Sequence, residues 1–223
     1  MDEILQSFFN LGILARTWPF LVDGLWTTLL LCLTVIPVGL AGGIGVALLS
    51  TSRARLLRWP LLAAVDLFRS FPPLVLLMLI YSGLPFAGVN LPPFAAVVLA
   101  FLLNNAAFYG EIFRAGLESV PAGQMEAARS TGLTKLQAML WVVLPQATRN
   151  VAPDLVSNTL EVAKLTAIAS VVALPELLHA ARSVQSLTYN ATPLVAAGAI
   201  YLALLWPLVR LLSRLEHRML AKR

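Results

Sequence analysis

Three charged side chains lie in a stretch that is otherwise apolar enough to cross a membrane, residues 151–174. They are Asp154, Glu161 and Lys164. A charge at the centre of a bilayer costs at least about 2.5 kcal/mol, so such groups normally face a partner or a watery cavity. Glu161 and Lys164 are three residues apart, the spacing at which helical side chains form an ion pair. The pattern indicates either the lining of a solute pathway or a structural ion pair, with Asp154 at the membrane surface.

Amide side chains extend this polar set. Asn158 precedes Glu161 by three residues and shares its side of a helix, while Asn104 and Asn105 lie in a second apolar stretch, 91–113. Interhelical hydrogen bonding is the alternative role for the two adjacent asparagines. The candidate pathway residues are therefore Asn158, Glu161, Lys164, Asn104 and Asn105.

The elements that must position these groups are membrane helices. The chain has 223 residues, of which 59% are hydrophobic and 12% charged, against about 25% charged in soluble domains. A spanning helix needs about 20 apolar residues. We predict one all-α integral membrane domain over residues 1–223, with spans at about 25–49, 61–83, 91–113, 151–174 and 194–212.

Cations concentrate in alternate connections between these spans. Segment 84–93 has no charge, and segment 175–193 has only Arg182 as a fixed cation. Because Lys and Arg accumulate on the cytoplasmic side, five spans place the N-terminus outside and the C-terminus in the cytoplasm. Most of the other cations lie in the remaining connections and the tail: Arg53, Arg55, Arg58, Arg114, Arg129, Lys135, Arg149, Arg210, Arg214, Arg218, Lys222 and Arg223.

Further residues are predicted to pair, to pack the spans together or to anchor their ends. Glu111 and Arg114 have helical spacing for an ion pair at the cytoplasmic rim. Gly39 and Gly43 form a GxxxG match that suits close helix packing, or else are ordinary membrane-helix residues. The tryptophans predicted to form an interfacial belt are Trp18, Trp26, Trp59 and Trp206.

Several kinds of chemistry are excluded by the sequence. It has no GxxxxGK[ST] phosphate loop and no HExxH, and its only histidines are His179 and His217. Cys32 is the only cysteine, so no intrachain disulfide forms. The spread of the arginines does not fit a nucleic-acid surface. We expect no catalytic residue, no cofactor, no metal and no nucleic-acid partner.

The long cytoplasmic connection, about 114–150, is predicted to be structured. Pro121 suits the start of a helix, Gly132 its end, and Pro145 a further break. Apolar residues recur with helical spacing between Leu133 and Leu144. The pattern is typical of an amphipathic helix on the membrane surface or against the bundle.

This connection also carries a motif. Residues 123–132 read GQMEAARSTG and residues 142–145 read VVLP. The segment resembles the EAA loop of ATP-binding cassette (ABC) importer permeases, EAA-x3-G-x9-I-x-LP, with valine in place of isoleucine. The GQ pair directly before EAA is similar to the sequence at this position in the polar amino acid branch of these permeases. Segments 68–72 (FRSFP), 106–114 (AAFYGEIFR) and 164–168 (KLTAI) resemble further motifs of that branch, so the resemblance covers roughly residues 20–220.

The resemblance implies the type I ABC importer permease architecture in a bacterial inner membrane. It implies a second permease subunit of the same or a related chain, a cytoplasmic dimer of ABC ATPases and an extracytoplasmic solute-binding protein. The EAA loop would be a coupling helix in a groove of the ATPase. The coupling residues it implies are Gly123, Gln124, Glu126, Ala127, Ala128, Gly132, Leu144 and Pro145.

The solute implied is an amino acid or a similar zwitterion. Members that carry cationic amino acids tend to have acidic side chains where this chain has Asn158 and Leu165. Glu161 would meet an ammonium group and Lys164 a carboxylate. The alternatives are a secondary transporter or channel, which leaves the EAA loop unexplained, and a permease half without its own solute site.

Overall fold

The computed structural model describes residues 6–52 and 54–220, and the regular elements in these ranges are all helical. Arg53, Lys222 and Arg223, which enter the orientation argument, lie outside the described residues. The helices are α1 (Leu11–Ser50), α2 (Arg55–Ser70), α3 (Pro73–Met78), α4 (Pro93–Glu118), α5 (Ala122–Ser130), α6 (Lys135–Ala138), α7 (Leu144–Asn150), α8 (Ala152–Leu165), α9 (Leu177–Thr188) and α10 (Thr192–Leu220).

Shorter helical turns continue several of these elements. Wide π turns, Leu79–Gly83 and Met139–Val143, follow α3 and α6, and tight 3-10 turns cover Leu84–Ala87 and Thr166–Val172. Within residues 6–52 and 54–220, four helical stretches are long and apolar enough to cross a membrane, and a fifth span results if the bent pair of α2 and α3 counts as one. The all-α membrane fold that composition predicts is confirmed.

The first helix begins well before the apolar stretch 25–49. Asn10 precedes it, and its Oδ1 accepts a hydrogen bond from the backbone N–H of Ile13 at 3.0 Å. Asparagine is a favoured N-cap because its side chain satisfies a backbone donor left free at a helix start. Hydropathy locates the apolar stretch, whereas this cap locates the helix start.

The chain forms two compact units, and the first comprises residues 1–35, 74–100 and 160–223. Gly24 allows α1 to approach α9 closely, since a Cβ on it would lie 2.9 Å from Leu177 Cα. Glu176 is fully buried and caps α9, accepting hydrogen bonds from the backbone N–H groups of Leu178 and His179 at 2.8 and 2.7 Å. The core of this unit contains Leu21, Leu177, Ala181 and Ala197.

The second unit comprises residues 36–73 and 101–159. Gly39 lies so close to α4 that a Cβ on it would come within 2.9 Å of Asn105 Cβ, and Gly43 is packed still more tightly against Tyr109. The close helix packing expected of the GxxxG pair is therefore confirmed. This contact fixes the α4 segment that carries several candidate residues.

Candidate functional site

Helix α5 carries most of the EAA motif on an exposed surface. Pro121 stands at its N-cap position, and Gly123, Gln124 and Ala127 are all exposed. A Cβ on Gly123 would meet no atom within 4 Å, so the chain's own packing does not require glycine there. Glycine costs a helix about 1 kcal/mol relative to alanine. This exposed small-residue face therefore gains nothing for the fold of the described chain.

The opposite side of α5 packs inward. Ala128 is buried and Met125 is half-buried, while Glu126 remains exposed. Of the two alanines in the motif, only Ala127 is available to another protein on its exposed side. Ala128 instead seats the helix on its own chain.

A sharp turn follows α5, as Gly132 predicts. Its φ is +91°, in the left-handed region that glycine adopts without a steric penalty. Thr134 then begins α6 with a capping box, in which its hydroxyl accepts from Gln137 N–H and the Gln137 side chain accepts from Thr134 N–H. The T-x-x-Q spacing of this capping box is present in the sequence, but the box was not among the predicted features.

The loop is tied into one piece by side-chain hydrogen bonds. Gln146 Nε2 donates to Gln124 Oε1 at 3.2 Å, which connects α7 to α5. Asn150 Nδ2 donates to Ser119 Oγ at 2.8 Å, which connects α7 to the segment after α4. The break predicted at Pro145 is wrong, because Pro145 lies in the first turn of α7, where its missing N–H is tolerated, and helical structure continues from the π turn through Leu144.

Glu161 and Lys164 form the ion pair that their spacing predicts, with Lys164 Nζ 2.7 Å from Glu161 Oε2. Both side chains are about half exposed, at 56% and 52%. The pair lies within one helix, so it connects no two elements. An exposed pair of this kind contributes only about 0.3–0.5 kcal/mol to stability.

The asparagines divide into two kinds. Asn104 Nδ2 donates to the carbonyl oxygen of Phe68 at 2.9 Å, which confirms interhelical hydrogen bonding for this residue. Asn105 is 2% exposed, and its Nδ2 has no hydrogen-bond partner in the described part of the chain. The same is true of Asn158 Nδ2. The Asn158 side chain still interacts with Tyr109, so Asn105 Nδ2 is the clearer case of a buried donor without a partner in the described chain.

Asn158 and the Glu161–Lys164 pair belong to different compact units. Within the second unit, Thr159 Oγ1 lies 2.8 Å from Tyr109 Oη, a hydrogen bond that fixes the first half of α8 against α4. Asn158 is half-buried beside this contact. The second half of α8 carries the exposed ion pair.

A larger charged cluster lies at the end of α4. Glu111 Oε2 is 2.8 Å from Arg114, the predicted pair, and 3.4 Å from Arg69 of α2. Arg114 also contacts Glu118 at 2.6 Å. Arg69 lies in the FRSFP segment, but no local pattern indicates a partner 42 residues away. The carboxylate of Glu111 thus connects two helices.

No group of three or more metal-ligating side chains is found within residues 6–52 and 54–220.

Comparisons with known proteins agree with this picture. Residues 39–221 match the family model described as the binding-protein-dependent transport system inner membrane component. The chain is similar to the probable glutamine ABC transporter permease protein GlnM of Bacillus subtilis (strain 168), with 36% identity over 94% of this chain and 98% of that one. It is 34% identical to the arginine transport system permease protein ArtQ of the same organism, over 90% of this chain and 93% of that one.

A solved structure is also similar along nearly the whole length. It is the crystal structure of an amino acid ABC transporter with histidines, 36% identical, with a TM-score of 0.82 over 92% of this chain and 96% of that chain. The shared fold extends over both compact units.

Proposed function

Because this chain belongs to the family of binding-protein-dependent transport system inner membrane components, we propose that it carries an amino acid or a similar zwitterion into the cytoplasm. It is a multi-pass inner membrane protein and a permease subunit of an ABC importer. Such a subunit works with ATPase and permease partners. What remains to be proposed is how this chain contacts them and where the solute passes.

We propose that α5 is the coupling helix and that its exposed face enters a groove of the ATPase. The supporting observation is the small-residue face of Gly123 and Ala127, which is exposed and has no packing role in the described chain. Small side chains allow a partner backbone to approach closely. Glu126 is exposed beside them and provides a charged contact. Gly132, in the turn after α5, and Leu144 and Pro145, at the start of α7, hold α5 in position.

Two neighbouring alanines provide a matched test. Ala127→Leu adds bulk on the exposed face, so we expect normal membrane insertion and at least a tenfold loss of ATPase binding and ATP-driven uptake. Ala128→Leu adds the same bulk on the buried face, where overpacking costs about 1–3 kcal/mol, so we expect lower thermal stability. Normal ATPase binding by Ala127→Leu would contradict the proposed docking face.

For the solute pathway, we propose that Glu161 and Lys164 face water or the partner subunit. Both lie in the candidate span Ala152–Val172, and charges that faced lipid there would each cost several kcal/mol. Their mutual pair does not hold the fold together, so each is available to a solute. A zwitterion presents the complementary ammonium and carboxylate.

The relatives support this solute class without fixing one member. One is named for glutamine and another for arginine, and both solutes carry an α-ammonium and an α-carboxylate. We expect Glu161→Gln and Lys164→Gln each to raise the KM for uptake about tenfold, with ATPase binding unchanged. Unchanged uptake in both variants would eliminate the proposed role of Glu161 and Lys164.

We further propose an outside N-terminus, a cytoplasmic C-terminus and an extracytoplasmic solute-binding protein as the source of solute. In a Cys32→Ser background, Ser186→Cys should react with a membrane-impermeant maleimide on intact cells. Ala54→Cys, which is exposed in the first cationic connection, should react only after permeabilisation. The reverse pattern would overturn the orientation.

A further inference from the structure

Helix α2 begins with a charged and aromatic surface that no part of the proposed transport cycle uses. The helix has 16 residues and is therefore about 24 Å long, shorter than the roughly 30 Å hydrocarbon core of a bilayer. Its first turns expose Leu56 at 94% and Trp59 at 70%. Exposed tryptophan beside exposed leucine is typical of the boundary between lipid headgroups and acyl chains.

Two arginines on this surface have no carboxylate partner. Arg55 and Arg58 are both exposed, and neither forms an ion pair with a described carboxylate, whereas Arg69 and Arg114 do. Arg55 and Arg58 line an open cleft of about 620 Å³. The residues that line this cleft are Thr51, Ser52, Arg55, Arg58, Trp59 and Leu62.

We propose that this cleft, hereafter the α2 cleft, binds the phosphate of an anionic phospholipid in the leaflet on its side of the membrane. Guanidinium groups bind phosphate oxygens through paired N–H donors. The hydroxyl group of Ser52 accepts a hydrogen bond from Ala54 N–H and keeps its own proton as a further donor, and Trp59 lies where the upper acyl chain would begin. The unpaired charge thus favours a phosphate, and the apolar neighbours favour one attached to a lipid.

The α2 cleft adjoins the inner side of the coupling loop. Arg58 also lines a second cavity, of about 300 Å³, together with Pro121, Ala122 and Met125. A headgroup that orders Arg58 would therefore alter the support beneath α5. This consequence rests on the proposed coupling role of α5, whereas lipid binding itself does not.

The test is native mass spectrometry of the full chain, with its co-purifying subunits, extracted from membranes and exchanged into phosphatidylcholine with added phosphatidylglycerol. We expect the chain to retain phosphatidylglycerol in preference to phosphatidylcholine. Arg55→Gln/Arg58→Gln should lower the affinity for phosphatidylglycerol about thirtyfold, since each basic residue near an anionic surface contributes about fivefold. Arg55→Lys/Arg58→Lys keeps the charge and should retain most of the binding.

Arg149→Gln is the matched control, because Arg149 is exposed and lines neither cavity. We expect no loss of bound lipid in this variant. Equal retention of the two lipids by the unaltered chain would overturn the proposal, and so would undiminished binding by the double glutamine variant. Displacement of the lipid by millimolar inorganic phosphate would identify a soluble anion site and would also overturn it.

ATP hydrolysis by the assembled importer in nanodiscs separates the two proposals. If α5 couples transport and the α2 cleft binds lipid, hydrolysis stimulated by solute should rise with phosphatidylglycerol, and the double glutamine variant should lose that rise. Lipid binding without any stimulated hydrolysis would contradict the coupling role alone. Stimulated hydrolysis with no lipid preference would contradict the α2 cleft alone.

Discussion

Two charged regions of this permease have opposite relations to the fold. The cluster around Glu111 joins α2 to α4, and the Glu111 side chain is only 20% exposed. The Glu161–Lys164 pair lies within α8, and both side chains are more than half exposed. Exposure and connectivity decide what an ion pair contributes, because a half-exposed pair inside one helix connects no two elements and gains little energy wherever water can replace the partner.

In an apolar chain, a charged group that no structural contact explains is a candidate for function. The Glu111 cluster is explained by the contact that it makes between helices. The Glu161–Lys164 pair has no such explanation, although it lies in a span where charge is costly. It is therefore the stronger candidate for contact with a solute or partner. We expect the loss of stability on removing a charged group to increase with the burial of that group.

The largest effect is expected at Glu176, the fully buried cap of α9. Its carboxylate accepts two backbone hydrogen bonds and one from the Tyr201 hydroxyl at 3.0 Å. Glu176→Ala removes the cap and leaves the Tyr201 donor unpaired, so we expect a loss of about 3 kcal/mol. Thermal unfolding in detergent measures it. Glu176→Gln, which keeps an acceptor oxygen, should lose less than half as much.

The same carboxyl gives a pH dependence. Burial raises the pKa of Glu176 against the opposing effect of its hydrogen bonds, so the folded chain holds this proton more tightly than the unfolded chain. The resulting stability is present below the ordinary pKa of about 4.3 and is lost as pH rises through the raised pKa. Glu176→Gln should abolish this change. A stability that rose with pH in the unaltered chain but not in the variant would contradict it.

Glu111→Ala should have the next largest effect. It leaves Arg69 without its carboxylate partner and removes the less exposed of the two carboxylate partners of Arg114, and we expect a loss of about 2 kcal/mol once partial exposure is allowed for. Thermal unfolding is again the measurement. Asp154→Ala is the control, because Asp154 is exposed and should change stability by less than about 0.5 kcal/mol. Equal losses of stability in the two variants would contradict the proposed dependence of stability on the burial of the charged group.

Arg69→Ala should cost about 1 kcal/mol. It removes the 3.4 Å contact with Glu111 and the position of the guanidinium 5.6 Å from the centre of the Phe108 ring, each of which contributes a fraction of that amount at a partly exposed site. Arg149→Ala, at an exposed arginine, should be nearly neutral. A neutral Arg69→Ala would show that α2 is held by its other contacts.

The smallest effect is expected at the Glu161–Lys164 pair. A double-mutant cycle with Glu161→Gln and Lys164→Gln should give a coupling energy of about 0.3 kcal/mol in unfolding experiments. A coupling above about 1 kcal/mol would make the pair structural after all. It would also remove the reason for assigning it to the solute pathway.

Much of this arrangement can be predicted from local spacing. The pairs Glu111–Arg114 and Glu161–Lys164 follow from helical geometry, and the turn at Gly132 follows from glycine's freedom at positive φ. The motif in residues 123–132 is sufficient to single out α5 as the candidate coupling helix. The apolar stretches locate the spans, although the start of α1 depends on the cap at Asn10.

The features that escape prediction depend on distant contacts. Arg69 reaches Glu111 across 42 positions, and Gln146 reaches Gln124 across 22. Ala127 and Ala128 are adjacent and chemically identical, and only packing shows that one is exposed and the other buried. Glu176 resembles a surface acid in the sequence, yet the fold buries it against α10.

We infer that a separate ATPase drives this chain through α5. The most direct measurement is uptake of a labelled amino acid by proteoliposomes that contain the permease and its solute-binding protein, with and without the ATPase. We predict uptake only when the ATPase and ATP are both present, and its loss in Ala127→Leu. Accumulation by the permease alone, driven by a proton or sodium gradient, would contradict the account.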